Sequence, residues 1–229
     1  MAWIPLESNP DVMTKFAHQL GVPKQWGFVD VYGTDPELLA MVPKPVLALI
    51  LLYPLSSKTA KYDAEEETKI KESGQEVSSS VYHLKQCISN ACGTVALIHS
   101  IANNTDMIKM ETGFLKKFIE DSMNRTFEER GELLISGEQG IGDTHEKMAQ
   151  EGQTKVPDEC EPVFHHFVAF VHKDGALYEL DGRKPVPINH GPTTKETLLE
   201  DAAEVCKAYM SRDPVEVRFT MVALVPLVE

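Results

Sequence analysis

A run of eight apolar residues, Val46 to Tyr53, is the feature that most limits what this chain can fold into. The run is far too short to cross a bilayer, which takes about 20 residues, but it has the length of a β-strand. Its apolar side chains would point to both faces of a sheet, so we expect a central strand that is covered on both sides. The chain has 229 residues, 42% of them hydrophobic, which is enough to bury one sizeable core without disulfides.

Helix and strand signals follow one another irregularly along the rest of the chain. Asn9 is expected to cap the first helix, Ser89 or Asn90 the fourth, and Thr126 the sixth. Predicted helices cover residues 10–20, 36–42, 61–74 (a helix or a solvated loop), 90–101, 114–119, 126–134 and 193–212, and predicted strands cover residues 46–53, 164–172, 177–181 and 217–225. This mixed order favours an α+β fold over a doubly wound sheet.

Charge and cysteine usage exclude several classes of function. The net charge of −13 argues against a nucleic-acid partner and permits a basic protein partner, although acidity also serves solubility. The sequence has neither a membrane-spanning apolar run nor a signal peptide, so we expect no membrane association and a cytoplasmic location. Free thiols are then expected at Cys87, Cys92, Cys160 and Cys206. Their spacing lacks the paired cysteines of zinc sites, so we expect no metal and no cofactor.

Cys92 is the strongest candidate for a nucleophile. It is expected at the second or third position of a helix, where free backbone N–H groups and the helix dipole stabilise a thiolate. Gly93 would keep the approach to its sulfur open, and Gln86, six residues earlier, could donate to a developing oxyanion together with the Cys92 N–H. The alternative is that Cys92 is a small core residue, as most free cysteines are.

A nucleophilic cysteine needs a base, and a predicted β-hairpin selects one histidine. Asp174-Gly175 is a two-residue turn signal, and the residues on either side of it should face each other. In that register Val168 opposes Asp181, and His166 is the diagonal neighbour of Asp181 on the same face. His165 points to the other face, although a shift of one residue in the turn would reverse the choice. Taken singly, the histidine and the aspartate could equally be a structural histidine and a turn former.

Residues 136–162 are rich in polar residues and glycine and have almost no apolar periodicity. Such a length is unusual for an unstructured loop inside a compact domain. The segment is therefore either a linker or a functional surface loop.

Three motifs resemble the ubiquitin carboxyl-terminal hydrolases, the peptidase C12 family, and are most similar to its small, single-domain L3-type isozymes. They are Asn90-Ala91-Cys92-Gly93-Thr94, His166-Phe167-Val168-Ala169-Phe170 and Tyr178-Glu179-Leu180-Asp181-Gly182-Arg183-Lys184-Pro185. The similarity runs from Trp3 to Phe219, which is nearly the whole chain.

The resemblance implies a single catalytic domain, residues 1–229, with a papain-like core. An antiparallel sheet would have helices on both sides and the backbone would be knotted, and residues 136–162 would form a crossover loop over the active site. Cys92 would be the nucleophile, His166 the base, Asp181 its orienting partner and Gln86 part of the oxyanion hole.

The resemblance further implies that ubiquitin, or a related ubiquitin-like modifier, is the partner of a monomeric enzyme. Carboxylates in the groove would suit the arginines of the ubiquitin tail. The implied contact residues are Pro5, Leu6, Glu7, Ser8, Asn9, Pro10, Ala149, Gln150, Glu151, Gly152, Gln153, Thr154, Lys155, Val156, Glu216, Val217, Arg218, Phe219, Thr220 and Met221.

We therefore expect a deubiquitinating thiol hydrolase that removes small adducts or peptides from the C-terminal glycine of ubiquitin through an acyl-enzyme on Cys92. The alternatives are a ubiquitin-binding or ubiquitin-stabilising module with negligible hydrolysis, and a different papain-like peptidase. A pure binder would need no complete set of Gln86, Cys92, His166 and Asp181.

Overall fold

The computed structural model describes residues 2–137, 140–153 and 164–227. Within them, six strands form one antiparallel sheet in the order β1-β6-β2-β3-β4-β5. The strands are β1 (Trp26–Asp30), β2 (Ala48–Pro54), β3 (His165–Lys173), β4 (Ala176–Leu180), β5 (Ile188–Pro192) and β6 (Thr220–Pro226). The helices are α1 (Pro10–Gln19), α2 (Pro36–Leu39), α3 (Ser57–Ser73), α4 (Cys92–Ala102), α5 (Phe114–Ser122), α6 (Phe127–Ile135), α7 (Ile141–Ala149) and α8 (Leu198–Ser211).

Strand β2 confirms the prediction of a central strand covered on both faces. It pairs with β6 on one side and β3 on the other. Ala48 and Ile50 belong to one hydrophobic core, and the alternate residues Leu49, Leu51 and Tyr53 belong to a second. Residues of α1, α4, α5, α6 and α7 contribute to the first core, whereas α2 and α8 contribute to the second. The fold is therefore α+β, with helices on both faces of one sheet.

The predicted caps of α1 and α6 are confirmed. The Asn9 carboxamide oxygen accepts the Asp11 and Val12 N–H groups at the start of α1. Thr126 and Glu129 form the predicted capping box of α6.

The predicted capping of α4 by Ser89 or Asn90 is wrong. Ala91 precedes the helix and contributes no side-chain cap. Asn90 has a positive φ of 65°, and its side-chain amide donates instead to the Trp3 carbonyl at 2.9 Å. A contact with the distant N-terminal segment therefore takes the group that would otherwise have capped the helix.

The segment predicted as a loop from residue 136 to 162 contains helix α7. Its buried face includes Thr144 and His145 beside Ile141 and Met148, so polar residues interrupt the apolar periodicity. Helix α8 starts at Leu198, later than predicted, because the Thr194 hydroxyl accepts the N–H groups of Glu196 and Thr197 in a turn before it. Strands β1 and β5 were not predicted.

The helices of the described residues include none that is long and apolar enough to span a membrane.

Candidate active site

Cys92 is the first residue of α4, one or two positions nearer the helix start than predicted. Every residue of this helix is buried, Cys92 included, and the helix packs against β3. The first N–H groups of a helix have no acceptor within it, so the sulfur lies where the backbone favours negative charge. Gly93 does not face open space as expected: a Cβ there would lie 3.1 Å from the Leu6 Cβ and 3.3 Å from the Phe167 ring. The absence of a side chain at Gly93 lets the N-terminal segment approach α4 closely.

The β3–β4 hairpin has the predicted register, with Lys173 opposite Ala176 and Phe170 opposite Glu179. The pairing ends at Ala169 and Leu180. Asp181 directly follows Leu180, and His166 lies three residues before Ala169. There the His166 Nε2 lies 2.7 Å from the Asp181 Oδ1, and both side chains are buried.

His165 points elsewhere, as expected from the pleat. The pKa of His165 is lowered chiefly by partial burial. The charges of Arg218 and Glu216 also act on its ring. It therefore lies toward the segment that precedes β6, away from the aspartate.

Asp181 is held from several directions. Its Oδ1 also accepts the Arg183 N–H at 2.8 Å, and its carbonyl accepts the Lys184 N–H at 3.0 Å and a hydrogen bond from the His83 Nε2. Burial by itself would raise the pKa of this carboxyl, but His166, the Arg183 N–H and the charge of Lys184 lower it. Asp181 is thus a fixed anion beside the imidazole.

His166 lies between Asp181 and Cys92. Its Nε2 is 2.7 Å from the Asp181 Oδ1, and the Cys92 side chain acts on the ring by raising its pKa. Burial alone would lower the pKa of His166, but the charges and hydrogen bonds of Asp181 and Cys92 outweigh it and raise the pKa to about 9. The arrangement favours the imidazolium form of His166.

Gln86 lies beside this group, and its hydrogen bonds are to the backbone of Gly182 and Ile88. Its backbone N–H donates to the Gly182 carbonyl at 2.8 Å, and its side-chain Nε2 donates to the Ile88 carbonyl at 3.1 Å. Its Oε1 is buried without a hydrogen-bond partner among the described residues. Because an amide nitrogen carries two N–H groups, one remains for an oxyanion.

The structure brings together the three segments predicted to contact a partner. The Thr220 hydroxyl donates to the Ser8 Oγ at 2.7 Å. A Cβ on Gly152 would meet the Glu7 carboxylate, and Lys15 of α1 forms an ion pair with Glu151. The segments around residues 5–10, 149–153 and 216–221 therefore form one continuous surface.

Exposure varies along this surface. The side chains of Leu6, Ala149 and Met221 are buried and pack in the cores, whereas Val217 is 83% exposed. Glu216 holds Arg218 through both carboxylate oxygens. Thr154, Lys155 and Val156 lie outside the described residues.

His145, which sequence analysis did not select, links three parts of the site. Its Nδ1 lies 2.6 Å from the hydroxyl of Thr94, two residues after Cys92, and its Nε2 lies 2.7 Å from the Ile4 carbonyl. Its ring lies against Trp3, with centroids 4.5 Å apart. Burial lowers its pKa to about 4. Nothing local in the sequence indicated that a histidine in a polar segment would face inward.

The other cysteines and histidines differ from Cys92 and His166. Cys87 is exposed, and Cys206 is fully buried, which raises its pKa. Burial lowers the pKa of His83 to about 4. None of these three has the pairing of a nucleophile with a base. Cys160 lies outside the described residues.

Sequence and structure comparisons agree on one family. The family model described as "Ubiquitin carboxyl-terminal hydrolase, family 1" matches residues 3–211. A ubiquitin carboxyl-terminal hydrolase of Drosophila melanogaster is 50% identical over 98% of this chain and 97% of its own length. The human ubiquitin carboxyl-terminal hydrolase isozyme L1 is 45% identical over 96% of each chain.

A solved structure has the same fold. The Trichinella spiralis UCH37 catalytic domain bound to ubiquitin vinyl methyl ester has a TM-score of 0.77 and 23% identity, with 100% of this chain and 97% of that chain covered.

Proposed function

This chain belongs to family 1 of the ubiquitin carboxyl-terminal hydrolases, the thiol-dependent deubiquitinases, and we propose that Cys92, His166, Asp181 and Gln86 carry out its reaction. The observation that carries this assignment is the buried His166–Asp181 pair, with His166 on β3, the strand against which α4 packs with Cys92 as its first residue. A thiol, a base and an orienting carboxylate in contact are the parts that nucleophilic catalysis requires.

In the proposed mechanism the Cys92 thiolate attacks the carbonyl carbon of the C-terminal glycine of ubiquitin. Negative charge develops on the carbonyl oxygen, where the Cys92 N–H and the free N–H of the Gln86 amide stabilise it. The imidazolium of His166 then protonates the leaving amine, and the C–N bond breaks to give a thioester on Cys92.

Hydrolysis of the thioester returns the enzyme to its starting state. His166, now neutral, takes a proton from water, which attacks the thioester carbonyl. The C–S bond breaks, ubiquitin leaves with a free carboxylate, and the thiolate–imidazolium pair forms again. Asp181 stays ionised throughout and holds the imidazole in one orientation.

Ubiquitin is proposed to bind across the surface formed by residues 5–10, 149–153 and 216–221. Its carboxylates include Glu7, Glu151 and Glu216, and a basic C-terminal tail would compete with Lys15 for Glu151 and with Arg218 for Glu216. Small adducts and peptides are the proposed leaving groups. The enzyme is further proposed to act in the cytoplasm as a monomer and as one catalytic domain spanning residues 1–229, in keeping with two cores that share one sheet.

Turnover of a fluorogenic amide at the C-terminus of ubiquitin tests these assignments. Cys92→Ala should abolish turnover, and His166→Ala should lower kcat by about 10³-fold. His165→Ala is the matched control and should change kcat by no more than about twofold. Full activity in Cys92→Ala, or a larger loss in the control than in His166→Ala, would contradict the proposal.

Two further measurements separate the remaining possibilities. A ubiquitin probe with a C-terminal electrophile should form a covalent adduct with the native chain and none with Cys92→Ala, whereas a pure binder would form none with either. Ubiquitin joined to a folded protein should turn over more slowly than ubiquitin joined to a short peptide if leaving groups are limited in size.

A further inference from the structure

A buried carboxylate outside the reacting group lies at the centre of a hydrogen-bond cluster. Glu179 of β4 has no exposed side-chain surface. Its Oε1 accepts the Tyr209 hydroxyl at 2.7 Å and the Lys184 Nζ at 3.0 Å, and its Oε2 lies 2.8 Å from the His190 Nε2. Burial would raise the pKa of this carboxyl, but Lys184 and His190 lower it well below its usual range. A buried anion is costly even when it is paired, so its presence calls for an explanation other than stability alone.

One path of contacts runs from Glu179 to the base. Tyr209 of α8, held by its hydroxyl, lies against Tyr53 with ring centroids 4.8 Å apart. Tyr53 of β2 is directly opposite His166 in the β2–β3 pairing. Its ring meets the His166 imidazole edge to face, with centroids 5.9 Å apart and planes at 86°. Tyr53 is 1% exposed and Tyr209 also 1%, so the rings have no room to shift independently.

A second path runs from Glu179 to Asp181. The ammonium of Lys184 is bound to Glu179, while the backbone N–H of the same Lys184 donates to the Asp181 carbonyl at 3.0 Å. Glu66 and Asp63 of α3 hold the ammonium from the other side, at 3.2 and 3.5 Å. Lys184 thereby fixes the turn that presents the Asp181 carboxylate to the imidazole.

We propose that Glu179 is a positioning residue for catalysis, which holds His166 through Tyr209 and Tyr53 and holds Asp181 through Lys184. The inference rests on the proposed roles of His166 and Asp181. Glu179 touches neither the substrate nor the sulfur. It fixes both the His166 base and its Asp181 partner from inside the fold. A small displacement of either residue would lower the rate considerably.

Three substitutions test the two paths. Tyr209→Phe removes only the hydroxyl of the first path, Lys184→Met removes only the ammonium of the second, and Glu179→Gln weakens both. With the fluorogenic ubiquitin amide, each of the first two should lower kcat about fivefold to tenfold and change KM by less than about twofold. The alkaline limb of the kcat profile should move to lower pH, because a displaced Asp181 stabilises the imidazolium less.

Cys206→Ala is the matched control. Cys206 lies one turn before Tyr209 on α8, is fully buried in the same core, and makes no hydrogen bond to Glu179. Its substitution should lower the urea midpoint while kcat and the alkaline limb stay as in the native chain.

The inference is overturned if Tyr209→Phe and Lys184→Met resemble this control, with a lower urea midpoint, unchanged kcat and an unchanged alkaline limb. Should Glu179→Gln not fold, the two path variants decide the matter by themselves. Full activity of His166→Ala would instead refute the proposed function, and this inference with it.

Discussion

Substitution of Asp181 by Asn gives the sharpest test of the electrostatics at the site. The change keeps the shape of the side chain and removes the anion that lies 2.7 Å from the His166 Nε2. The pKa of His166 is raised from 6.5 to about 9, although its burial opposes the rise. Asp181 makes the larger contribution to this rise and Cys92 the smaller, so without the carboxylate we expect burial to bring the pKa of His166 back to near 6.5.

The size of the effect follows from this difference. A change of about 2.5 pKa units corresponds to about 3 kcal/mol of preference for the imidazolium. At pH 8 nearly all of the native chain would hold the imidazolium, whereas less than about a tenth of Asp181→Asn would. We therefore expect kcat/KM at pH 8 to fall at least about tenfold further than it falls at pH 6.

The pH dependence of kcat/KM for the fluorogenic ubiquitin amide measures this directly. The alkaline limb should move from near pH 9 in the native chain to below pH 7 in Asp181→Asn. Asp174→Asn is the matched control, because Asp174 lies at the turn of the same hairpin and hydrogen-bonds to Ser78 rather than to His166. An alkaline limb that stays near pH 9 in Asp181→Asn would refute the reasoning.

Stability should show the same linkage with a defined sign. Because the pKa of His166 is higher in the folded chain, its interaction with Asp181 stabilises fully below pH 6.5 and is lost as the pH rises through about 9. Because the pKa of Asp181 is lowered by folding, the same interaction is lost as the pH falls below about 4. The difference in unfolding free energy between the native chain and Asp181→Asn should be largest between about pH 4 and pH 6.5. A difference that does not vary with pH would contradict the assignment.

Two further substitutions should separate activity from stability. In Gly182→Ala a Cβ would lie 3.0 Å from the Gln86 backbone nitrogen and 2.8 Å from the Val95 Cγ1. We therefore expect the free energy of unfolding in urea to fall by about 1–3 kcal/mol and kcat to fall as well. An unchanged kcat would show that Gln86 tolerates the displacement. Thr126→Ala removes the cap of α6 and should cost about 1 kcal/mol with kcat unchanged; a loss of activity there would mean that α6 contributes to the site.

The arrangement of the candidate catalytic residues could be predicted because it depends on local rules. A two-residue turn and the alternation of a strand fix which side chains of a hairpin share a face. That was enough to choose His166 over His165 and to place it near Asp181, even though the paired residues end just before both. The start of α4 was recognisable too, and Cys92 was misplaced there by only one or two positions.

The rest depends on contacts between distant segments, which a local pattern does not contain. Asn90 has the chemistry of a helix cap, but its amide reaches Trp3 instead. Helix α7 has polar residues on its inner face because His145 hydrogen-bonds to Thr94 and Ile4. In the sequence, Glu179 looks like an ordinary strand residue. Only the fold brings the Tyr209 hydroxyl into contact with its carboxylate. The knotted path of the backbone stays a prediction.

The place of β6 in the sheet has a consequence for how the chain folds during its synthesis. This strand is the last of the six to be synthesised, yet it lies between β1 and β2, and β1 pairs with no other strand among the described residues. Until residues 220–226 emerge, β1 and β2 lack the strand that pairs with both of them, and the edges left unpaired are open to association with other chains. The same late segment brings Thr220 to Ser8. The proposed ubiquitin-binding surface is therefore completed only after the last of these six strands has taken its place in the sheet.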